Sequence, residues 1–226
     1  MNTRAWIGND IVDLAEPGVA GKERDRRFMD RVFTPAERAR ILEAAAPTVA
    51  LWKAWTAKEA AFKLASKLRP RLVFRHQAFE VLAAPGDGKG RPGASAADAS
   101  QVRFEDLSIS VRWYAAREYI HCIAQLATDR WGLLAGVAND DEALDGVLSD
   151  AERESVYSMA SARARLLARR LTRQWDLHRV EVLRLWRTWG WSAPVLVEEG
   201  CRLAAFDVSL SHDGRYVAAA LSGPAD

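Results

Sequence analysis

The sequence predicts an α+β protein built from two related lobes, and two observations carry that expectation. Helical and strand periodicities alternate along the whole chain. The same order of elements also occurs twice: a short strand, a capped short helix with an Ala-Glu-Arg run (Ala36-Glu37-Arg38, Ala151-Glu152-Arg153), a long helix, then terminal strands. The seam falls near residue 130, so the expected lobes are 1–130 and 131–226.

The elements follow in chain order. Ile7–Leu14 is a strand by its apolar run. Thr34-Pro35-Ala36-Glu37 is a capping box, with proline at the first helical position and glutamate three residues after the cap. A long helix from Thr48 to Leu68 puts Leu51, Trp55 and Phe62 on or near one stripe. Leu72–Leu82 reads as a strand, and Ala83–Ser100, AAPGDGKGRPGASAADAS, as a long loop. Leu107–Trp113 alternates like a half-buried strand, with Tyr119–Ala127 as its hairpin partner. Leu133–Ala138 is a further strand, followed by a break at Asn139–Gly146. Ser149-Asp150-Ala151-Glu152 opens the second capped helix, Ser161–Trp175 is the second long helix, and Phe206–Leu210 and Tyr216–Leu221 are the closing strands.

Composition excludes several classes. The chain has 226 residues, 49% of them hydrophobic, which is ample for a core. Its 32 Lys+Arg against 30 Asp+Glu give a net charge of +2, so any anion-binding site must be local. Cys122 and Cys201 provide neither a disulfide scaffold nor zinc spacing. The opening MNTRAWIGNDIV meets Asp10 before an apolar segment can form, unlike a signal peptide, and no apolar run has the length of a membrane span. The expectation is a soluble, cytoplasmic protein that binds neither membrane nor nucleic acid.

Four constellations carry chemistry. In Gly8-Asn9-Asp10-Ile11-Val12-Asp13, strand alternation puts Asp10 on one face and Asp13 on the other. An acid among Ile and Val must be paired, hydrogen-bonded or bound to a metal if buried; an isolated one is more often a cap. In Trp55-Thr56-Ala57-Lys58-Glu59-Ala60-Ala61-Phe62-Lys63, Glu59 and Lys63 are one turn apart. The plain interpretation is a surface pair; the sharper one is a metal-binding carboxylate beside a cation, the equipment of phosphoryl transfer. His212 follows Ser209-Leu210-Ser211 and precedes Asp213-Gly214, which places it at an exposed turn. Arg163, Arg165, Arg169, Arg170 and Arg173 crowd one helix with no acid until Asp176, either a solvated face or an anion contact.

These motifs together resemble the 4'-phosphopantetheinyl transferase family: the Asp10 motif, Phe33-Thr34-Pro35-Ala36-Glu37-Arg38, the Lys58-Glu59-Ala60 helix with Lys63, and Ser209-x-Ser211-His212 with Gly214. In the family's long single-chain type the Ser-His half comes first. Here it comes second, so the resemblance implies two halves in exchanged order, a pseudo-dimer in one chain whose ends lie near each other. The acid at Asp13 rather than at Val12 matches the short holo-acyl-carrier-protein synthase type. The family's Gly-Lys-Pro segment corresponds to Gly190-Trp191-Ser192-Ala193-Pro194 without its lysine, while a Lys-Gly-Arg-Pro run occurs at Lys89–Pro92.

The resemblance implies Mg²⁺-dependent transfer of 4'-phosphopantetheine from coenzyme A to a serine of an acyl, peptidyl or aryl carrier protein, releasing adenosine 3',5'-bisphosphate. Asp10 and Glu59 would bind the metal, Glu59 and Lys63 would be catalytic, and Lys58, Lys63, Arg165, Ser211 and His212 would bind coenzyme A. Lys22–Arg31 has five basic and three acidic residues, and Arg24, Arg27 and Arg31 there would dock an acidic carrier. A monomer would suffice, since both halves of the site lie on one chain. Two alternatives stand beside this: an inactive carrier- or nucleotide-binding protein on the same fold, and a nucleic-acid module using the arginine helix. Fatty-acid, polyketide and peptide synthesis are all open as settings.

Overall fold

The structure, a computed structural model, describes residues 5–82, 98–126, 131–188 and 190–224. In chain order its elements are β1 (Trp6–Asp13), α1 (Arg26–Val32), α2 (Pro35–Glu43), α3 (Pro47–Leu68), β2 (Glu80–Val81), β3 (Asp98–Phe104), β4 (Leu107–Ala115), β5 (Tyr119–Leu126), β6 (Trp131–Asn139), α4 (Asp150–Arg153), α5 (Met159–Thr172), β7 (Val180–Leu183), β8 (Trp186–Arg187), β9 (Gly190–Trp191), β10 (Val195–Glu198), β11 (Cys201–Arg202), β12 (Asp207–Asp213) and β13 (Tyr216–Pro224).

Among the described residues, an antiparallel sheet in the order β1-β5-β4-β3-β2 carries α3 on one face. A second sheet, β12-β13-β6, carries α5. Smaller pieces, β11-β10-β7 and the β8–β9 hairpin, belong to the latter part of the chain. The expected α+β class is what the structure shows. No described helix is long and apolar enough to cross a membrane.

Alanines make the first core tight. Ala57, Ala60, Ala61 and Leu64 of α3 are fully buried against Ile109, Val111 and Ile120 of the sheet. At Gly8 a Cβ would stand 2.0 Å from the Ala60 carbonyl oxygen and 2.9 Å from the Leu64 nitrogen. Glycine is therefore obligatory there, and the close approach brings α3 beside Asp10. Alternation then turns Ile7, Asn9 and Ile11 toward the second sheet, where Ile7 packs with Ile123 and Ala220, and Ile11 with Tyr216 and Ala218.

The two lobes share an internal device. Thr34 and Glu37 form the capping box of α2, and Ser149 and Glu152 form that of α4, as the sequence predicts. Each glutamate is then buried and used again. Glu37 Oε1 accepts from the Val81 N–H at 2.8 Å and pairs with Lys58 Nζ at 2.7 Å. Glu152 Oε1 accepts from the Val182 N–H at 2.9 Å, and its Oε2 lies 3.2 Å from Arg169. In both lobes one acid ties a helix start to a strand and to the long helix.

Several sequence expectations need correction. Of Leu72–Leu82 only Glu80–Val81 is strand, and His76–Ala78 is a 3-10 turn. Arg71 adopts φ 70°, and the carbonyls of His76 and Phe79 accept hydrogen bonds from Lys58, so the segment wraps an ammonium instead of pairing with a neighbour. The expected loop at 83–100 ends early: residues 98–100 begin β3, where Ser100, Val102 and Phe104 are buried in alternation. The rest of that loop, including Lys89–Pro92, lies outside the described residues, as does Ala127. His212 is not at the turn but inside β12, half-buried and paired with Val217; the tip is Gly214-Arg215. Near the two ends of the described chain, Ser222 Oγ donates to the Ala5 carbonyl at 2.5 Å.

Candidate active site

The site begins where two sheet edges meet. β1 and β12 both lie at edges, yet they are joined by side chains rather than by a backbone ladder. The outward N–H groups of Ile7, Asn9 and Asp13 donate to Asp207 Oδ2, Ser209 Oγ and Asp213 Oδ2 at 2.9, 2.9 and 2.8 Å. Lys67 Nζ from α3 bridges the same seam, donating to the carbonyls of Ile7 and Val208 and to Asp207. Asp13 is held by Arg215, whose Nε and Nη2 each donate to it at 2.8 Å, and this drives its carboxyl down to about 2. Asp13 thus latches the hairpin of the second lobe, on the face of β1 away from Asp10.

Asp10 and Glu59 occupy the other face. Lys63 Nζ donates to Asp10 Oδ1 at 2.8 Å and to the Asn9 carbonyl at 3.0 Å. Burial raises the Asp10 carboxyl despite that lysine. Burial, then the charge of Asp10, pushes Glu59 up to about 7. Among the described residues no hydrogen bond satisfies the Glu59 carboxylate. Two carboxylates in a common field, with one ammonium between them, are short of positive charge.

Beside this corner opens a cleft of ≈ 460 Å³ between the lobes. Its wall takes Lys63 and Lys67 from α3, Ser209 to His212 from β12, and Tyr157, Arg184 and Trp191 from the second lobe. Lysine, arginine and histidine line it and no carboxylate does. His212 Nε2 lies 3.3 Å from the Tyr157 hydroxyl; burial foremost, then Lys63, lowers its pKa, while Asp213 and Asp10 oppose this. Its coupling to Asp10 and Lys63 puts the Ser-His block in the same field as the carboxylates.

Some expected residues are elsewhere. Lys58 is fully buried, with its ammonium taken up by Glu37 and the carbonyls of His76 and Phe79, so it is not available to coenzyme A. Arg165 borders the cleft but is 1% exposed. Its guanidinium makes five hydrogen bonds, to Val182 O and to the Oγ and O atoms of Ser161 and Ser155, which uses all five N–H groups. The anion its helix needs is also supplied within the fold: Arg163 meets the carbonyls of Asn139 and Glu142, Arg169 meets Glu152, and Arg170 meets Glu142. Arg24, Arg27 and Arg31 are exposed around α1.

Two cations of the cleft escape the sequence motifs: Lys67, already tied to the seam, and Arg184. Arg184 Nε donates to the Ser192 carbonyl at 2.8 Å, which aims the guanidinium from the Ser192–Pro194 turn into the cleft. No local pattern marks it, because only the tertiary path of β7 brings it there.

A cationic interlobe cleft beside a pair of desolvated carboxylates suits an anionic, phosphorylated ligand. Comparison with known proteins gives the family. The model of the family described as the 4'-phosphopantetheinyl transferase superfamily matches residues 7–124. Over 130 residues the chain is 33% identical to a holo-[acyl-carrier-protein] synthase of Rhodopseudomonas palustris (strain BisA53), covering 50% of this chain and 90% of that protein. A protein of the same name from strain TIE-1 is 31% identical over 132 residues, covering 50% and 86%. The chain belongs to the 4'-phosphopantetheinyl transferase superfamily, and it is a phosphopantetheinyl transferase.

Proposed function

We propose that the protein transfers 4'-phosphopantetheine from coenzyme A to a serine of an acyl, peptidyl or aryl carrier protein, with Mg²⁺, in a site that one chain completes by itself. The observation that carries this is the cleft, in which cations from both lobes line one space and one of them, Lys63, also holds Asp10. Coenzyme A has a 3'-phosphate at one end and a pyrophosphate nearer the reacting bond. Ser211, His212 and Arg184 suit the first, and Lys63 suits the second.

The donor set fits a hard divalent cation. Asp10 and Glu59 offer carboxylate oxygens, their mutual repulsion is what a cation relieves, and Mg²⁺ commonly takes only one or two carboxylates. Among the described residues no cluster of three or more His, Cys, Asp or Glu side chains supplies a fuller cage. When bound, the ion would neutralise charge on the pyrophosphate.

The chain's own residues do the rest. The carrier serine oxygen attacks the β-phosphorus of coenzyme A, the bond from that phosphorus to the bridging oxygen breaks, and adenosine 3',5'-bisphosphate leaves. Glu59 takes the serine proton directly or through water. Lys63 stabilises the charge that develops on the departing phosphate. Exposed Arg24, Arg27 and Arg31 give an acidic carrier an electrostatic approach.

The test is to incubate an apo carrier protein with coenzyme A, Mg²⁺ and this protein, then weigh the carrier. A mass gain of one phosphopantetheine, absent when the metal is chelated, is expected. An unchanged carrier across acyl, peptidyl and aryl types would overturn the proposal.

A further inference from the structure

Asn9 adjoins Asp10 in the motif but points the opposite way, wholly buried between the lobes. Its Nδ2 donates to Ser211 Oγ at 3.0 Å and lies 3.1 Å from His121 Nε2. With the amide nitrogen facing it, His121 Nε2 must be the acceptor, so the imidazole carries its proton on Nδ1. Ser211 belongs to β12, is 5% exposed and lines the cleft.

Each partner's chemistry then fixes a direction. A serine hydroxyl has one proton, and an oxygen already accepting from Asn9 turns that proton elsewhere. Among the described residues no protein acceptor takes it, and the space it can reach is the cleft. Asn9 Oδ1, meanwhile, is buried with no donor. Turning the amide over would offer Oδ1 to the Ser211 hydroxyl and draw its proton back from the cleft. An unpaired buried acceptor is costly, so an arrangement that retains one calls for a use.

We propose that Asn9 is a positioning residue: held by His121, it presents Ser211 across the lobe seam as a hydrogen-bond donor to the 3'-phosphate of coenzyme A. This rests on the assignment of the cleft to coenzyme A. The donor is aimed before the ligand arrives, so little ordering is needed on binding. Neither aspartate nor serine substitutes at position 9, since a carboxylate cannot donate and a serine hydroxyl is too short to reach both partners.

The test is a double-mutant cycle on ligand affinity, using Asn9→Ala, Ser211→Ala and the pair, with coenzyme A and 3'-dephospho-coenzyme A titrated by calorimetry. Ser211→Ala is expected to weaken coenzyme A by about tenfold, the scale of one hydrogen bond to a charged group. Asn9→Ala should weaken it similarly, the pair no more than Ser211→Ala alone, and neither should much affect the dephospho ligand. Additive losses, or equal losses for both ligands, would mean that Asn9 acts through lobe packing and would overturn the proposal. An unchanged coenzyme A affinity in Ser211→Ala would instead overturn the ligand assignment itself, and the inference with it. If Asn9→Ala does not fold, Asn9→Ser repeats the cycle, and the same outcomes decide.

Discussion

The lobe of β1–β5 and the lobe that begins at β6 are laid out alike but retain different chemistry. In the first, β1-β5-β4 run side by side; in the second, β6-β13-β12 do. Tyr119 pairs with Asp13 and Tyr216 with Asn139, and the two tyrosine rings meet at 4.9 Å. Counting back from that register, the counterpart of Asp10 is Gly136. The counterpart of His212, which pairs with Val217, is Ala115, which pairs with Ile120. The first lobe has the carboxylates and an alanine at the histidine position; the second has the histidine and a glycine at the Asp10 position.

The sharpest way to break that comparison is to remove a carboxylate. Glu59→Gln keeps size and should lower carrier modification by at least hundreds of fold, since metal clamping and proton transfer each contribute orders of magnitude. Carrier modification assayed by mass would read it, and near-normal turnover would move the chemistry off α3.

Next comes the shared buried acid. Lys58→Ala leaves Glu37 buried without its cation and should cost about 3–5 kcal/mol in urea unfolding. Arg169→Ala removes a partner that is 27% exposed and should cost less, about 1.5 kcal/mol. Equal losses would mean that the exposure of the cation does not decide how much each pair supports. A raised KM for coenzyme A in a stable Lys58 variant would return that lysine to the site.

A smaller effect is expected from His212→Ala: the KM for coenzyme A should rise about tenfold with a lesser fall in kcat, because its proposed partner is remote from the reacting bond. Equal falls in kcat and kcat/KM would place His212 at the transition state.

Proton linkage is subtler still. Glu59 is raised to about 7, so the folded chain holds a proton that the unfolded chain has released between its ordinary value and pH 7. Relative to Glu59→Gln, the metal-free stability of the wild-type chain should therefore decline as pH climbs through that window and level off above it. The buried histidines that oppose the trend, His121 above all, are common to both chains and drop out of the difference. Added Mg²⁺ should release protons near pH 7 and almost none near pH 9, as pH-stat titration can show. Proton release that does not change with pH would remove Glu59 from the metal site.

Much of this was legible in the sequence because it is written locally. Capping boxes at Thr34 and Ser149, the α3 span and the β4–β5 hairpin follow from spacing alone, and the motifs single out Asp10, Glu59, Lys63, Ser211 and His212, which the fold sets near one another. What was not legible depends on tertiary burial. Lys58 and Arg165 look like ligand cations until Glu37, Ser155 and Ser161 are seen to absorb them. Arg184 carries no motif and gains its place only through a turn packed beneath it. The strand at 72–82 failed because a run of strand-forming residues cannot show that a buried ammonium needs its carbonyls.

If one chain completes one site from both lobes, mixing two impaired chains should not restore activity. Glu59→Gln and His212→Ala proteins, assayed together at coenzyme A well below the KM of the latter, should modify carrier no faster than the sum of each alone. Recovery of a substantial fraction of wild-type activity would show that the cleft forms between the lobes of different chains.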